Sequence, residues 1–325
     1  MKLAKIYSFL RKDLHDIEQM LTETIDAEHP ILREASLQLL RAGGKRIRPV
    51  FVLLSAHFGD YKANKEKIMA VAVALELIHM ATLVHDDVVD DAELRRGKPT
   101  IKHLYGNRVA MYSGDYILAR ALEVITTVNI PRVHSALSKT VVKLVEGEIS
   151  QIEDKYNANQ KLRDYLRRIK RKTALLIATS CKLGAIASGA EKKQANRLYR
   201  YGYNVGMSFQ IIDDILDFTA SPEELGKPTG SDLIQGNITL PVLYAMEDEA
   251  FLKELKSVFH HKENLCEERI GHLLDLLQKT DAIEKSYRLS NLYLQKALQS
   301  IKPLENNKAK RTLQTIAGII GKRRS

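Results

Sequence analysis

Apolar residues recur at intervals of three and four through most of this chain. Leu3, Ile6, Leu10, Leu14, Ile17, Leu21 and Ile25 form one such stripe and predict a helix over residues 3–25. The stretch "ILREASLQLLRA" continues the pattern and stops at Gly43-Gly44, where glycine tolerates the left-handed backbone that ends a helix. From Ile68 to Val84 nearly every residue is apolar, yet Glu76, His79 and Thr82 interrupt at threes, and Asp86 and Asp90 extend the series at fours. That is a polar stripe on a buried helix, and it must face partners, water or a cavity. "YGYNVGMSFQIIDDILDF" lines up Gln210, Asp213 or Asp214, and Asp217 in the same way. Between the two lie helical patterns at 110–128, 133–155 and 161–187, and more follow Pro241. Two stretches rich in glycine, proline and lysine, "RRGKPTIKHLYGN" and "TASPEELGKPTGSDLIQGNITLP", predict long loops after the acidic helices.

Composition agrees with an all-α fold. Only 17 glycines and 8 prolines punctuate 325 residues that are 45% hydrophobic. No shift of composition marks a boundary, so a single helical domain over residues 1–325 is the expectation. Cys181 and Cys266 stand far apart without CxxC neighbours and read as two reduced thiols. No run reaches the ~18 uncharged residues of a membrane span, and the N-terminal charges are too closely spaced for a signal peptide. A cytoplasmic protein is expected. The net charge of +10 fits nucleic acid, anionic lipid or a phosphorylated substrate equally well.

The aspartates narrow that choice. Residues i and i+4 lie roughly 40° apart around a helix, so Asp86 with Asp90, and Asp213 with Asp217, each aim two carboxylates at one point. Like charges at that spacing repel, and a divalent cation relieves them. Oxygen-only ligands favour Mg²⁺, Mn²⁺ or Ca²⁺, and Mg²⁺ held by one or two carboxylates completes its shell with water and substrate phosphates. The basic residues then acquire a purpose: Arg95 and Arg96 follow the first cluster, Lys227 follows the second, and Lys45 with Arg48 sit at i and i+3 beside a glycine turn. No GxxxxGK[ST] occurs, so a diphosphate is a better match than a nucleotide held by a P-loop. Lysines and arginines dispersed among acidic clusters do not form a nucleic-acid footprint.

"GGKRIRP", "HDDVVDDAELRRGKPT", "RKTALL", "GMSFQIIDDILDF" and "LGKPTGSDL" occur in that order. Through them nearly the whole chain resembles the trans-prenyltransferases, or polyprenyl diphosphate synthases. "YLRRIKRKTALLIATSCKLGAIASGA" is most similar to the catalytic components of two-component heptaprenyl diphosphate synthases.

The resemblance implies an isoprenoid synthase-like bundle around a deep central cavity, with the two aspartate motifs across its mouth and about three Mg²⁺ between them. Asp86, Asp87 and Asp90 match the first motif, and Asp213, Asp214 and Asp217 the second. Lys45, Arg48, His79 and Arg96 match the site for isopentenyl diphosphate. Arg95, Lys172, Thr173, Gln210 and Lys227 match the allylic side. His79, read alone, is more often a core histidine, and Lys172 a residue of a solvated basic face. Ala81 and Thr82, five and four residues before Asp86, are small and leave the floor under the first motif open. The implied reaction extends an allylic diphosphate, farnesyl diphosphate being the expected primer, to a heptaprenyl chain for a menaquinone side chain. A separate small non-catalytic subunit would complete a heterodimer, with a homodimer as the alternative, and membrane contact would be peripheral. A geranylgeranyl or hexaprenyl product stays open at this point. So does a catalytically inactive regulatory subunit. A class I terpene cyclase also ionises a diphosphate with DDxxD, but usually lacks the second motif and "GGKRIRP".

Overall fold

The computed structural model describes residues 7–95, 97–221, 228–260 and 267–323. Leu3, Ile6, Arg96, Lys227 and Cys266 therefore lie outside the described residues. A 3-10 turn (Ser8–Leu10) leads into α1 (Arg11–Thr24), followed by α2 (Pro30–Arg41), α3 (Ile47–Ala56) and α4 (Lys65–Val89). A two-stranded hairpin, β1 (Leu94–Arg95) and β2 (Lys98–Pro99), precedes α5 (Ile101–Thr126) and α6 (Pro131–Asp154). Next come α7 (Leu162–Ile169), a π-helical turn (Lys170–Ala174), α8 (Leu175–Ala187) and α9 (Lys192–Thr219). Short α10 (Ser231–Ile234) and α11 (Leu240–Ala245) lead to α12 (Glu249–His260), α13 (Glu267–Gln278), α14 (Ala282–Ile301) and α15 (Lys308–Lys322). The fold is all-α, as the periodicity predicts.

The chain groups into two compact units. One comprises residues 1–137, 179–199 and 304–313, and the other 138–178, 200–303 and 314–325. In the first, α4 packs against α1, α3 and α5. At 1.5 Å per residue its 25 residues span about 37 Å. The chain is buried almost continuously from Ile68 to Val84, and polar exposure returns only along the face of His79, Thr82 and Asp86. α4 is the one helix among the described residues long and apolar enough to cross a bilayer, and most of that apolar window is buried inside the protein. In the second unit Phe218, Val242, Phe251, Leu255, Phe259 and Leu273 form the core against which α11, α12, α13 and α14 pack.

Two sequence expectations need correction. "RRGKPTIKHLYGN" is not a long loop: the hairpin closes with Arg95 opposite Lys98, and α5 begins at Ile101. Thr100 caps the new helix, its side-chain oxygen accepting from the His103 amide at 3.1 Å, and the only interruption is a kink at Gly106, where φ is +80°. Nor is 161–187 one regular helix. Its "KRKTA" stretch forms the π turn, a local under-winding that hydrophobic periodicity does not register.

Candidate diphosphate and metal site

The first aspartate cluster sits where α4 ends. Asp90 is the residue that caps it, its amide donating to the Asp86 carbonyl at 2.8 Å, and Asp91 turns the chain away in a left-handed conformation (φ +54°). The hairpin that follows returns Arg95 to the cluster. Its Nη2 and Nε approach Asp87 Oδ1 at 2.7 and 2.8 Å. Asp87 is buried, and burial raises its pKa above the ordinary carboxylate value although Arg95 opposes the shift. Asp86 and Asp90 are half-buried on the accessible side of the helix end. The three aspartates thus divide: the middle one is buried on Arg95, and the outer two are half-buried.

Below the cluster, Thr82 is half-buried and its hydroxyl donates to the His79 carbonyl at 2.8 Å. Its polar atom is thereby used within the helix, so its methyl supplies the remaining surface. Ala81 is 2% exposed and belongs to the core. His85, one residue before Asp86, fits against Gly114 of α5, where a Cβ would lie 2.4 Å from its Nε2.

Lys45 and Arg48 belong to the corner between α2 and α3, where Lys45 is exposed and Arg48 half-buried. Sequence reasoning passed over the residue between them. Arg46 is the N-cap of α3 and adopts φ +45°, ψ +41°, a left-handed backbone that costs a non-glycine residue on the order of 1 kcal/mol or more. Its guanidinium donates to both oxygens of Glu18, to Glu76 Oε1 at 3.3 Å and to the Leu40 carbonyl at 3.3 Å. Burial disfavours the charge, but the hydrogen bonds and charges of Glu18 and Glu76 outweigh it and raise the Arg46 pKa. Glu76, the first polar residue of the stripe, is 3% exposed. It serves this ion pair.

The second cluster lies near the end of α9 and is held differently. Asp214 is buried and accepts from the Tyr165 hydroxyl at 2.6 Å and the Gln210 amide at 2.8 Å. Thr173, on the π turn, donates to Gln210 Oε1 at 2.6 Å, which closes a Thr173–Gln210–Asp214–Tyr165 chain of hydrogen bonds. Burial, reinforced by the charge of Asp232, pushes the Asp214 pKa up to about 8, against the pull of its two donors. Asp213 is exposed. Asp217 departs from the simple helical wheel: it is 1% exposed and accepts from Ser231 Oγ at 2.9 Å and the Asp232 amide at 3.1 Å, tying α10 to α9. Lys172, also on the π turn, donates to Gln151 Oε1 at 2.9 Å and lies 3.7 Å from Glu148. Tyr165 and Gln151 are the residues here that sequence reasoning missed. Tyr165 opens the stretch "YLRRIKRKTALL", but nothing in that stretch marks it as a partner of Asp214, and Gln151 stands next to no motif.

No group of three or more acidic, histidine or cysteine side chains among the described residues converges as a metal cage. A hard cation of the Mg²⁺ kind can be held by one or two carboxylates, with water and phosphate oxygens completing its shell. Asp86 and Asp90 at the end of α4 are half-buried, and Asp213 of α9 is exposed.

The pattern of the polyprenyl synthetase family matches residues 29–277, across both clusters. The chain belongs to that family. It is 58% identical, over its whole length and 92% of the relative's, to a protein from Bacillus subtilis (strain 168) named heptaprenyl diphosphate synthase component 2. A protein of that name from Geobacillus stearothermophilus is 55% identical over 99% of each chain. Its fold superposes on a crystal structure of heptaprenyl diphosphate synthase from Staphylococcus aureus with a TM-score of 0.93 at 41% identity, covering 97% of this chain and 99% of that one. A polyprenyl synthase from Caulobacter crescentus CB15, crystallised with calcium and isoprenyl diphosphate, gives 0.93 at 28% identity, covering 100% and 98%. As a family member the chain is a trans-prenyltransferase.

Proposed function

We propose that this polyprenyl synthetase extends farnesyl diphosphate by successive head-to-tail condensations with isopentenyl diphosphate, giving all-trans heptaprenyl diphosphate. One observation carries the reading. In each aspartate motif the middle carboxylate is buried on protein donors, Asp87 on Arg95 and Asp214 on Tyr165 and Gln210, while Asp86, Asp90 and Asp213 keep an accessible position. Mg²⁺, when bound by these carboxylates, supplies the positive charge that lets an allylic diphosphate depart.

The chain's own residues do the rest. Lys172 and Arg95 add cationic charge on the allylic side, with Lys227 expected there from the sequence. The Thr173 hydroxyl donates its hydrogen bond to Gln210 Oε1, so its oxygen lone pairs remain for the allylic cation that forms. Lys45, Arg48 and His79, with Arg96, hold the diphosphate of isopentenyl diphosphate while its double bond attacks that cation. Loss of a proton, accepted by the departed diphosphate, regenerates an allylic diphosphate five carbons longer. No protein nucleophile is needed. Thr82, half-buried below the first motif, and Ala81, behind it in the core, place no ring there, which supports a long product.

A second component fits an unpartnered face of α6. Val142, Val145, Ile149 and Ile152 recur at helical spacing and are 48–60% exposed. We assign this face to a separate non-catalytic subunit, in keeping with the "component 2" names of the relatives. The enzyme works in the cytoplasm, with peripheral membrane contact where its lipid product leaves.

The test combines purified chain, Mg²⁺, farnesyl diphosphate and radiolabelled isopentenyl diphosphate, with and without a candidate partner. Label in a C35 product, lost on chelation and restored by Mg²⁺, is the expected result. No incorporation even with the partner removes the proposal, and a shorter product removes the heptaprenyl assignment. Ile149→Asp is expected to abolish co-elution with the partner.

A further inference from the structure

We propose that Arg46 is the positioning residue of the isopentenyl diphosphate site, fixing where Lys45 and Arg48 stand relative to His79 through its ion pair with Glu76. This deepens the assignment of those three residues to isopentenyl diphosphate, and rests on it. Lys45 and Arg48 lie on the corner before and within the first turn of α3, whereas His79 lies on α4, about thirty residues further along. A diphosphate gripped from both elements needs them held in one register, because small displacements of charged groups weaken a multi-point grip steeply.

The structure supplies the tie at the right place. Glu76 is one helical turn before His79 on the same face of α4, and Arg46 is flanked by Lys45 on one side and, two residues on, by Arg48. Four hydrogen bonds converge on the Arg46 fork, one of them from Nε to Glu18 Oε1. Nη1 reaches Glu76 Oε1 at 3.3 Å, Nη2 reaches Glu18 Oε2 at 3.1 Å, and Nη2 also donates to the Leu40 carbonyl at 3.3 Å. α1, the end of α2, the corner and α4 are thereby joined through one side chain.

The backbone gives an independent reason. Arg46 stands at φ +45° although glycine is the residue suited to that region, and "GGKRIRP" places its two glycines elsewhere. A strained arginine persists only where its surroundings over-determine it, and such residues concentrate at functional sites. At this position the left-handed turn starts α3, the Arg46 carbonyl accepting the first helical bond from the Val50 amide at 3.0 Å. The strain and the ion pair act on the same residue, and both determine the direction in which Lys45 and Arg48 leave the corner.

A purely structural role is the alternative, and steady-state kinetics separate the two. Arg46→Met with Glu76→Met removes both charges at similar volume, so no uncompensated ion is left buried, Glu18 being 41% exposed and able to turn to solvent. The expected result is a KM for isopentenyl diphosphate raised about tenfold to a hundredfold, with the KM for farnesyl diphosphate and the rate at saturating isopentenyl diphosphate little changed. Arg46→Lys keeps the charge but loses the fork, and should fall between wild type and the double variant. An unchanged KM for isopentenyl diphosphate, or equal losses in both KM values and in kcat, overturns the proposal. Should the double variant not fold, Arg46→Lys decides alone by the same criterion. Wild-type enzyme that consumes no isopentenyl diphosphate would remove the functional reading itself. A wild type that consumes it, beside variants of equal KM, removes only the role of Arg46.

Discussion

The two aspartate motifs share a spelling and a division of labour but not a construction. The first ends a helix, and its middle carboxylate is neutralised by a full charge, Arg95, supplied eight residues later by a hairpin. The second lies within α9, and its middle carboxylate rests on neutral donors, one of them Tyr165 from 49 residues earlier. A guanidinium opposes what burial does to Asp87, whereas two dipoles leave Asp214 pushed up to about 8. The first motif is thus a locally assembled ionic unit, and the second a tertiary hydrogen-bond network that reaches the π turn through Gln210 and Thr173.

The widest test asks what the motifs share. Asp86→Ala and Asp213→Ala each remove an accessible carboxylate and should each lower kcat on the order of 10³-fold, with circular dichroism and melting temperature unchanged. Retained turnover in both would leave the metal-holding role without support. The next test asks where they differ. Arg95→Met strands the Asp87 carboxylate in a buried place, at a cost of about 3 kcal/mol. Tyr165→Phe leaves Asp214 with the Gln210 donor and should cost about 1–2 kcal/mol. Urea denaturation of the two variants checks the order, and equal losses would erase the distinction between an ionic and a dipolar anchor.

That contrast also marks the limit of sequence reading. The helices were legible because burial follows 3.6-residue periodicity, and the Asp86–Asp90 stripe because polar residues cannot be left on a buried face without purpose. Arg95 was legible because its acid is close in sequence. Tyr165, Gln151 and the Ser231 contact to Asp217 were not, since each is set by packing between segments that are distant along the chain. Arg46 failed for another reason: within "GGKRIRP" its left-handed backbone has no glycine to announce it. The hairpin and the first turns of α5 read as loop because Gly97, Pro99 and Gly106 crowd one stretch and the capping role of Thr100 has no strong signal there, whereas the rest of α5 is legible as the helical pattern at 110–128.

The smallest effects should come from glycines that let each motif's surroundings close. Gly206 of α9 faces the π turn, and an added Cβ would stand 2.5 Å from Ala174 Cα and 3.0 Å from its Cβ. Backbone cannot swing aside, so Gly206→Ala should cost about 1–3 kcal/mol and displace the turn that carries Lys172 and Thr173, raising the KM for the allylic diphosphate. A Cβ added to Gly114 of α5 would instead meet the His85 ring, 2.4 Å from Nε2 and 2.6 Å from Cδ2. A ring at the end of a side chain can rotate, and its contact with the exposed Asp115 carboxylate at 3.2 Å is easily surrendered. Gly114→Ala should therefore cost less than about 1 kcal/mol, with little change in either KM. A larger loss for Gly114 than for Gly206 would mean that His85 is rigidly held, and that the first motif depends on packing across α4 and α5 as much as the second depends on the π turn.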